Sequence, residues 1–222
     1  MPAFKTSEET PRALTSKGRQ TREAIEQAAR KLFAERGFHG TTLADITSAA
    51  GKSPAVFYRY FANKQDLLAA LAESFLHDVV TPSGLSLSLP DSPPQAGGTP
   101  TDDDAFFTSV VSGYWNIFKQ NIGIMIAVAQ LAATQQRFAA VQNEFRRFGM
   151  NIVAASVRRA QEQGYGTELN PEHTAAAIAL LFENFTTVFV GPSGPGVLGL
   201  EISDGDAIAT LSTVWKKTLY GA

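Results

Sequence analysis

Apolar residues recur along most of this chain at the spacing of amphipathic helices. In residues 17–36 they form one stripe at i, i+3, i+4, i+7 and i+8, made of Ile25, Ala28, Ala29, Leu32 and Phe33. Gly37 follows this stripe in the position where glycine relieves left-handed backbone strain. The pattern predicts a helix over residues 17–36 that buries a single face.

Two short helices are predicted next from their capping residues. Thr42 and Asp45 have the spacing of a capping box, and the helix they open is expected to stop at Gly51. Ser53 followed by Pro54 predicts a new helix start, because proline lacks the N–H that the first helical residue leaves unbonded. These signals predict two helices separated by a tight turn.

The second short helix is predicted to run to about Tyr60, and Asn63 can cap a longer one over residues 63–80. Residues 81–101 contain five prolines, three glycines and four serines, so we expect a flexible linker there. The polar residues 1–16 are expected to form a mobile tail.

Helical periodicity returns after the linker. It predicts helices over residues 103–120, 122–133, 135–163, 171–190 and 204–220. The segment GVLGLEIS at 196–203 is the single candidate for a strand. The expected fold is therefore all-α, with a three-helix N-terminal domain over 17–62, a connecting helix over 63–80 and a larger helical C-terminal domain over 102–222.

Composition narrows the class of protein. The 222 residues are 44% hydrophobic and contain no cysteine, which excludes disulfides and thiolate metal sites. We find no apolar run long enough to span a membrane and no apolar N-terminal signal stretch, so we expect a cytoplasmic protein without membrane contact.

Charge is divided unequally along the chain. Residues 1–65 hold eleven Lys/Arg against six Asp/Glu, a net charge of +5, and the remainder holds eight against fifteen, a net charge of −7, which together give −2. A basic N-terminal domain on an acidic body is typical of a protein of which one part meets phosphate, although chance segregation of solvated charge gives the same numbers.

The two short helices have the arrangement of a helix-turn-helix, in which the second helix enters the major groove of DNA. Phe57 and Phe61 lie four residues apart and are expected to face inward as anchors. Helical spacing then leaves outward the side chains of Pro54, Ala55, Val56, Tyr58 and Arg59.

Residues 21–68 resemble the DNA-binding domain of the tetracycline-repressor (TetR) family. The matching positions lie in one register over nearly fifty residues and include Thr21-Arg22, Gly37-Phe38, Thr41-Thr42, Ala50-Gly51, Phe57-Tyr58, Tyr60-Phe61 and Asn63-Lys64. The family usually has valine at the position of Lys52 and glycine at that of Ala55. These two departures limit the transfer of detailed base contacts.

The resemblance implies DNA contacts from eight residues, and Ser53 and Lys52 are further candidates from their own positions and chemistry. Phosphate contacts are expected from Thr42, Tyr58, Tyr60 and Lys64, and groove contacts from the face with Pro54, Ala55, Val56 and Arg59. Ser53 is small and opens the helix whose amides can bind phosphate. Alternatives stay open: Arg59 can read guanine or contact phosphate, Lys52 and Lys64 can contact phosphate or solvent, and Tyr58 can pack in the core.

The resemblance also implies a ligand-responsive homodimer. The helices near 171–190 and 204–220 are expected to form the dimer interface, unless the first is simply buried within one chain. Candidate ligand-binding residues are Phe107, Tyr114, Trp115, Phe118, Met125 and Asn184, around an apolar small-molecule effector. Aromatic residues at helical spacing are equally a property of plain core.

The implied function is that of a transcriptional repressor that leaves a pseudo-palindromic operator on double-stranded DNA when the effector binds. Other classes are a helical ligand-sequestering protein and, less well supported, an enzyme. His39, His77 and His173 are far apart, and we find no local nucleophile, phosphate-loop or zinc-binding motif. No catalytic residue, metal ligand or cofactor is therefore predicted.

Overall fold

The computed structural model describes residues 15–80, 102–191 and 199–221, which form helices and no strand. The helices are α1 Ser16–Arg36, α2 Leu43–Ala49, α3 Pro54–Phe57, α4 Lys64–Val80, α5 Asp102–Gln120, α6 Ile122–Ala132, α7 Gln136–Glu162, α8 Pro171–Val190 and α9 Asp204–Tyr220. The predicted all-α fold is confirmed. Residues 199–203 of the candidate strand are irregular, whereas residues 1–14 of the tail and the linker over 81–101 lie outside the described residues.

The helix starts follow the predicted capping chemistry. The Thr42 backbone N–H donates to Asp45 Oδ2 at 2.8 Å, and the Asp45 N–H donates back to Thr42 Oγ1 at 3.1 Å. Ser53 Oγ accepts from the Val56 N–H at 3.4 Å, with Pro54 at N1. Two side-chain caps thus fix the directions of the two short helices.

The helix α3 is shorter than its pattern predicts. It ends at Phe57 rather than near Tyr60, because the next residues turn more tightly: the N–H groups of Arg59 and Tyr60 donate to carbonyls three residues back, at 3.3 and 2.9 Å. Such i to i+3 bonds are usual where a helix ends, and they bring the chain round to α4.

Two buried clusters hold the helices together. The first, here called the N-terminal core, joins α1, α2, α3 and α4 to α6 and the start of α7. The second, the C-terminal core, joins α5, α7, α8 and α9 around Trp215. The N-terminal core includes Phe33 of α1 and Ile124 of α6, so the first four helices are packed on residues far beyond them in sequence.

The helix α8 packs one face and exposes another. Ala175, Ile178, Phe182 and Thr186 are buried, whereas Leu180 and Leu181 are each 43% exposed. By length and composition α8 could cross a membrane. Its place along α7 and its ion pair through Glu183 are those of a core helix in a folded bundle.

Candidate nucleic-acid interface and cavity

The turn between α2 and α3 depends on one glycine. Gly51 has φ of +63°, a left-handed conformation that side-chain-bearing residues adopt at a cost. Its N–H donates to Ser48 O at 3.0 Å, and the Lys52 N–H donates to Thr47 O at 2.9 Å. Closing α2 in this way sets the angle at which α3 departs.

The outer face of α3 is free of packing. Phe57 and Phe61 are buried in the N-terminal core, as predicted, with ring centroids 5.6 Å apart. Their burial leaves the other side of α3 in solvent: Pro54, Ala55, Tyr58 and Arg59 are exposed and Val56 is half-buried. Tyr58 is 60% exposed and meets Phe57 only edge-on, so the alternative of core packing is wrong for this residue.

The remaining predicted DNA-binding residues border this face. Thr42 and Ser53 are exposed at the starts of α2 and α3, where their hydroxyls cap their own helices. Lys52 and Tyr60 are half-buried, and Tyr60 packs against the N-terminal core. The helix starts and the outer face of α3 therefore leave exposed side chains available to a duplex.

Lys64 has an internal role that its pattern did not reveal. Its Nζ donates to Phe38 O and to Thr41 O, both at 2.6 Å, and lies 4.3 Å from the centroid of the Phe38 ring. Partial burial lowers the pKa of this ammonium group. Lys64 thus ties the first turn of α4 to the α1–α2 loop that presents Thr42.

A cavity of about 140 Å³ lies between α5, α7 and α8, and one residue each from α4, α6 and α9 completes its lining. Its lining is mostly apolar and rich in aromatic rings. These rings belong to Phe75, Tyr114, Phe118, Phe145, Phe148, Phe182 and Trp215. Apolar concave sites of this kind are usual for small-molecule ligands.

One wall of the cavity carries a balanced pair of charges. Arg146 donates through Nε to Glu183 Oε2 at 2.7 Å and through Nη2 to Oε1 at 2.8 Å, and Gln142 Nε2 donates to the same Oε1 at 2.9 Å. The hydrogen bonds to Glu183 raise the pKa of Arg146, so the guanidinium stays charged. The pair is neutral as a whole.

A second polar group beside the cavity is the hydroxyl of Tyr114, a residue that lines the cavity, whereas the neighbouring Thr186 lies behind the lining. The Tyr114 hydroxyl is buried and has no hydrogen-bond partner among the described residues, and the same is true of the Thr186 hydroxyl. Burial raises the pKa of Tyr114 far above its usual value, the nearby Thr186 opposes this rise, and the Glu183 carboxylate adds to it. The two hydroxyls are neighbours without reaching hydrogen-bond geometry, and Tyr114 stays protonated.

The helix α6 connects the cavity to α1. Met125 lines the cavity, while Ile124 packs in the N-terminal core. Gly123 lies so close to α1 that a Cβ placed on it would come within 2.5 Å of the Ala34 nitrogen and the Phe33 carbonyl carbon. Two helix backbones are therefore in direct contact beside the cavity.

The sequence of the first four helices matches a known family. The model of "Bacterial regulatory proteins, tetR family" matches residues 25–71, from α1 into α4. Over these residues the chain has the sequence of a TetR-family DNA-binding domain. Among curated relatives, the HTH-type transcriptional repressor AcnR of Corynebacterium glutamicum is 34% identical over 76 residues, which span 33% of this chain and 40% of AcnR.

Two other proteins match over most of the chain. The transcriptional regulator EthR of Mycobacterium tuberculosis is 25% identical over 201 residues, covering 89% of this chain and 86% of EthR. The crystal structure of a tetR-family regulatory protein from Rhodococcus RHA1 superposes with a TM-score of 0.63 at 19% identity, covering 93% and 98% of the two chains. This likeness shows that the C-terminal helices share the TetR fold.

Half of the predicted ligand-binding residues line the cavity. Tyr114, Phe118 and Met125 do so. The other three do not line it, and their positions follow from partners that the sequence does not show. Phe107 is buried against Trp215 at 5.0 Å, the Trp115 Nε1–H donates to Asp204 Oδ1 at 3.0 Å, and Asn184 is exposed and donates to Leu180 O at 2.9 Å.

Gln142 and Arg146 are the part of the cavity wall that sequence reasoning missed. Gln142 and Arg146 lie on the same apolar stripe of α7 as Phe145, Gly149 and Ile152. Polar residues within such a stripe indicate a buried partner, and Glu183 in the apolar α8 is the matching signal. Pairing the two signals would have predicted the Arg146–Glu183 bridge.

Proposed function

We propose that this protein is a ligand-responsive transcriptional repressor that binds a pseudo-palindromic DNA operator as a homodimer. The observation that carries the proposal is the exposed outer face of α3, held by Phe57 and Phe61 and bordered by the capped starts of α2 and α3. A short helix presented in this way fits the major groove, which is about 12 Å wide.

Each residue of this face has a proposed role. Pro54, Ala55, Val56 and Arg59 meet base edges, and Arg59 is the one side chain among them that can bind guanine through two hydrogen bonds. Thr42, Lys52, Ser53, Tyr58 and Tyr60 meet the phosphate backbone. Lys64, whose ammonium group already binds two carbonyl oxygens, acts on DNA through the loop that it holds.

The dimer is proposed to form through α8 and α9. Leu180 and Leu181 of α8 and Val214 of α9 are among the large apolar side chains that the single chain leaves exposed. Apolar residues on two long helices suit a four-helix interface between two copies. Such a dimer would set the two α3 helices about one turn of DNA apart, roughly 34–36 Å.

Release is proposed to start at the cavity. Phe75 places α4 in the cavity wall, and the first turn of the same helix carries the Lys64 contact to the α1–α2 loop. A mostly apolar effector that prefers a different α4 and α6 position lowers operator affinity by linkage, typically by about 1–3 kcal/mol. The protein would act in the cytoplasm, without a catalytic step of its own.

The test is selection of bound sequences from random duplex DNA by the purified full chain. We expect enrichment of a pseudo-palindrome with half-sites about one turn apart, and binding that weakens steeply with salt because phosphate contacts release counterions. An Arg59→Ala variant should bind but lose preference at one base pair of each half-site. Absence of enrichment at every salt concentration would contradict the proposal and favour a ligand-sequestering protein.

A further inference from the structure

The polar groups around the cavity are of two kinds: a charged pair whose members bind each other, and hydroxyl groups without a partner among the described residues. The cavity holds one guanidinium group, and this group is already bound by the Glu183 carboxylate through two hydrogen bonds. A ligand anion would meet the charge of Glu183 beside the guanidinium, and a ligand cation would meet the charge of Arg146. The balanced pair therefore offers no net charge to attract either kind of charged ligand.

The hydroxyls of Tyr114 and Thr186 leave one donor unused. Each hydroxyl has a single O–H hydrogen, and both oxygens are buried without a partner among the described residues. Even if the two hydroxyls bonded to each other, that bond would use only one of the two hydrogens. A buried donor without an acceptor costs about 1–3 kcal/mol, so an acceptor brought by a ligand would gain this difference.

We propose, on the basis of the function proposed above, that the effector is an uncharged, mostly apolar molecule with one hydrogen-bond acceptor, bound through the buried hydroxyl of Tyr114. The aromatic lining surrounds the apolar part of this molecule. One aromatic ring with a short substituent fits a cavity of about 140 Å³. A ketone, ester or amide oxygen supplies the acceptor.

Four small probes separate the charge and acceptor requirements. Acetophenone is neutral with an acceptor oxygen, and α-methylstyrene has nearly the same shape without one. Benzoate adds a negative charge, and benzylammonium adds a positive charge. Each probe is titrated into the full-length ¹⁵N-labelled protein, and its dissociation constant is read from the indole N–H signals.

The two tryptophans provide a reporter and an internal control. Trp215 lines the cavity, with its Nε1–H bonded to Ser156 Oγ at 3.1 Å, whereas Trp115 lies outside the lining and is bonded to Asp204. We expect acetophenone to shift the Trp215 signal and to bind roughly three- to tenfold more tightly than α-methylstyrene, the range of one net hydrogen bond. Both charged probes should bind more weakly still.

Substitutions test which hydroxyl donates a hydrogen bond to the oxygen of acetophenone. Tyr114→Phe keeps the ring and removes the hydroxyl, so the ratio between acetophenone and α-methylstyrene should fall to about one. Tyr165→Phe makes the same change on an exposed ring outside the cavity and should leave the ratio unchanged. Thr186→Val tests whether the neighbouring hydroxyl shares the role, and it should reduce the ratio by less than Tyr114→Phe.

The outcomes distinguish this inference from the proposed function. The role of Tyr114 would be overturned if the unaltered protein bound acetophenone and α-methylstyrene equally well. It would also be overturned if the preference for acetophenone were unchanged in Tyr114→Phe. Tightest binding of benzoate or benzylammonium would overturn the neutral class and leave the cavity as an effector site. If no probe moved the Trp215 signal, the inference and the cavity's role would both fail, while operator selection would still report on DNA binding.

Discussion

At the scale of single residues, Asp45 and Thr42 cap α2, and Lys64 binds two carbonyl groups of the α1–α2 loop. Caps and turns depend on local chemistry, so Thr42, Asp45 and Gly51 could be assigned correctly from sequence. The partners of Lys64 lie more than twenty residues away in the α1–α2 loop, and no local pattern indicates them. The role of an individual charged residue was therefore predictable only where its partner was a sequence neighbour.

Replacing Lys64 should affect stability more than phosphate binding. Lys64→Met leaves the Phe38 and Thr41 carbonyls without their charged donor, and we expect a loss of about 1–3 kcal/mol in the free energy of unfolding, measured with urea. The slope of operator affinity against salt should stay unchanged. A fall of that slope by about one per site would instead identify Lys64 as a phosphate ligand.

The control for this prediction is Lys31→Met. Lys31 is an exposed residue of α1, and its Nζ lies 3.9 Å from Glu35 Oε1. Substitutions at such surface positions usually change the free energy of unfolding by no more than about 0.5 kcal/mol. Equal losses in the two variants would contradict the proposed tie between α4 and the loop.

The capping box of Thr42 and Asp45 should make the stability of the protein depend on pH in the acidic range. Hydrogen bonds from the Thr42 side chain and backbone lower the pKa of Asp45 below its ordinary value of 3.8. Since the folded pKa is the lower one, Asp45 stabilises the protein fully above pH 3.8, and this contribution is lost as the pH falls through the folded pKa. Asp45→Asn should lower the melting temperature at pH 7 and converge with the unaltered protein in strong acid.

This prediction is measured by thermal unfolding followed by circular dichroism between neutral and acidic pH. A difference between the two proteins that stays constant across the range would show that the charge of Asp45 has no part in its capping role.

At the scale of helices, periodicity placed each predicted element close to its observed position. It could not say which helices touch, because an amphipathic face fits any apolar surface of similar width. The cavity shows this limit: Tyr114 and Trp115 are neighbours on α5, yet one lines the cavity and the other is bonded to α9. The outcome depends on where α7 and α8 converge, which is a property of the packed structure.

Substitution of Gly123 should separate α6 from α1. A Cβ at this position meets backbone atoms that cannot rotate away, so Gly123→Ala should lower the free energy of unfolding by about 1–3 kcal/mol or more. Gly149→Ala is the matched control. It is also a helical glycine, nothing lies within 4 Å of its added Cβ, and alanine there should stabilise α7 by up to about 1 kcal/mol.

Both variants are compared by urea unfolding and by operator affinity. Destabilisation of similar size in the two would indicate a general intolerance of the bundle rather than a contact between α6 and α1. Unchanged stability of Gly123→Ala would contradict the close approach itself.

At the scale of the whole molecule, the family and the general architecture could be predicted, and the assembly remains a prediction. The apolar length of α8 suggested a dimer face, and its exposed leucines are consistent with one. Mass measurement in solution is the direct test of the proposed dimer.

A double substitution on α8 should dissociate the dimer. Leu180→Glu together with Leu181→Glu puts two charges into the proposed interface, where burying an unpaired charge is costly. We expect the mass by light scattering to fall from twice 23.8 kDa to that of one chain, and operator affinity to fall with it. Leu200→Glu changes a residue that is 58% exposed outside α8 and α9 and should leave the mass unchanged.

The N-terminal core has a consequence for how this protein could be recombined. Residues 15–80 complete their packing with Ile124 and Val128 of α6, and Gly123 admits no side chain against α1. Without α6, this segment would expose apolar side chains of the N-terminal core to solvent. A chimaera that joins it to the effector-binding half of another regulator would need the α6 surface transplanted too, so the unit of exchange between family members is larger than the DNA-contacting helices.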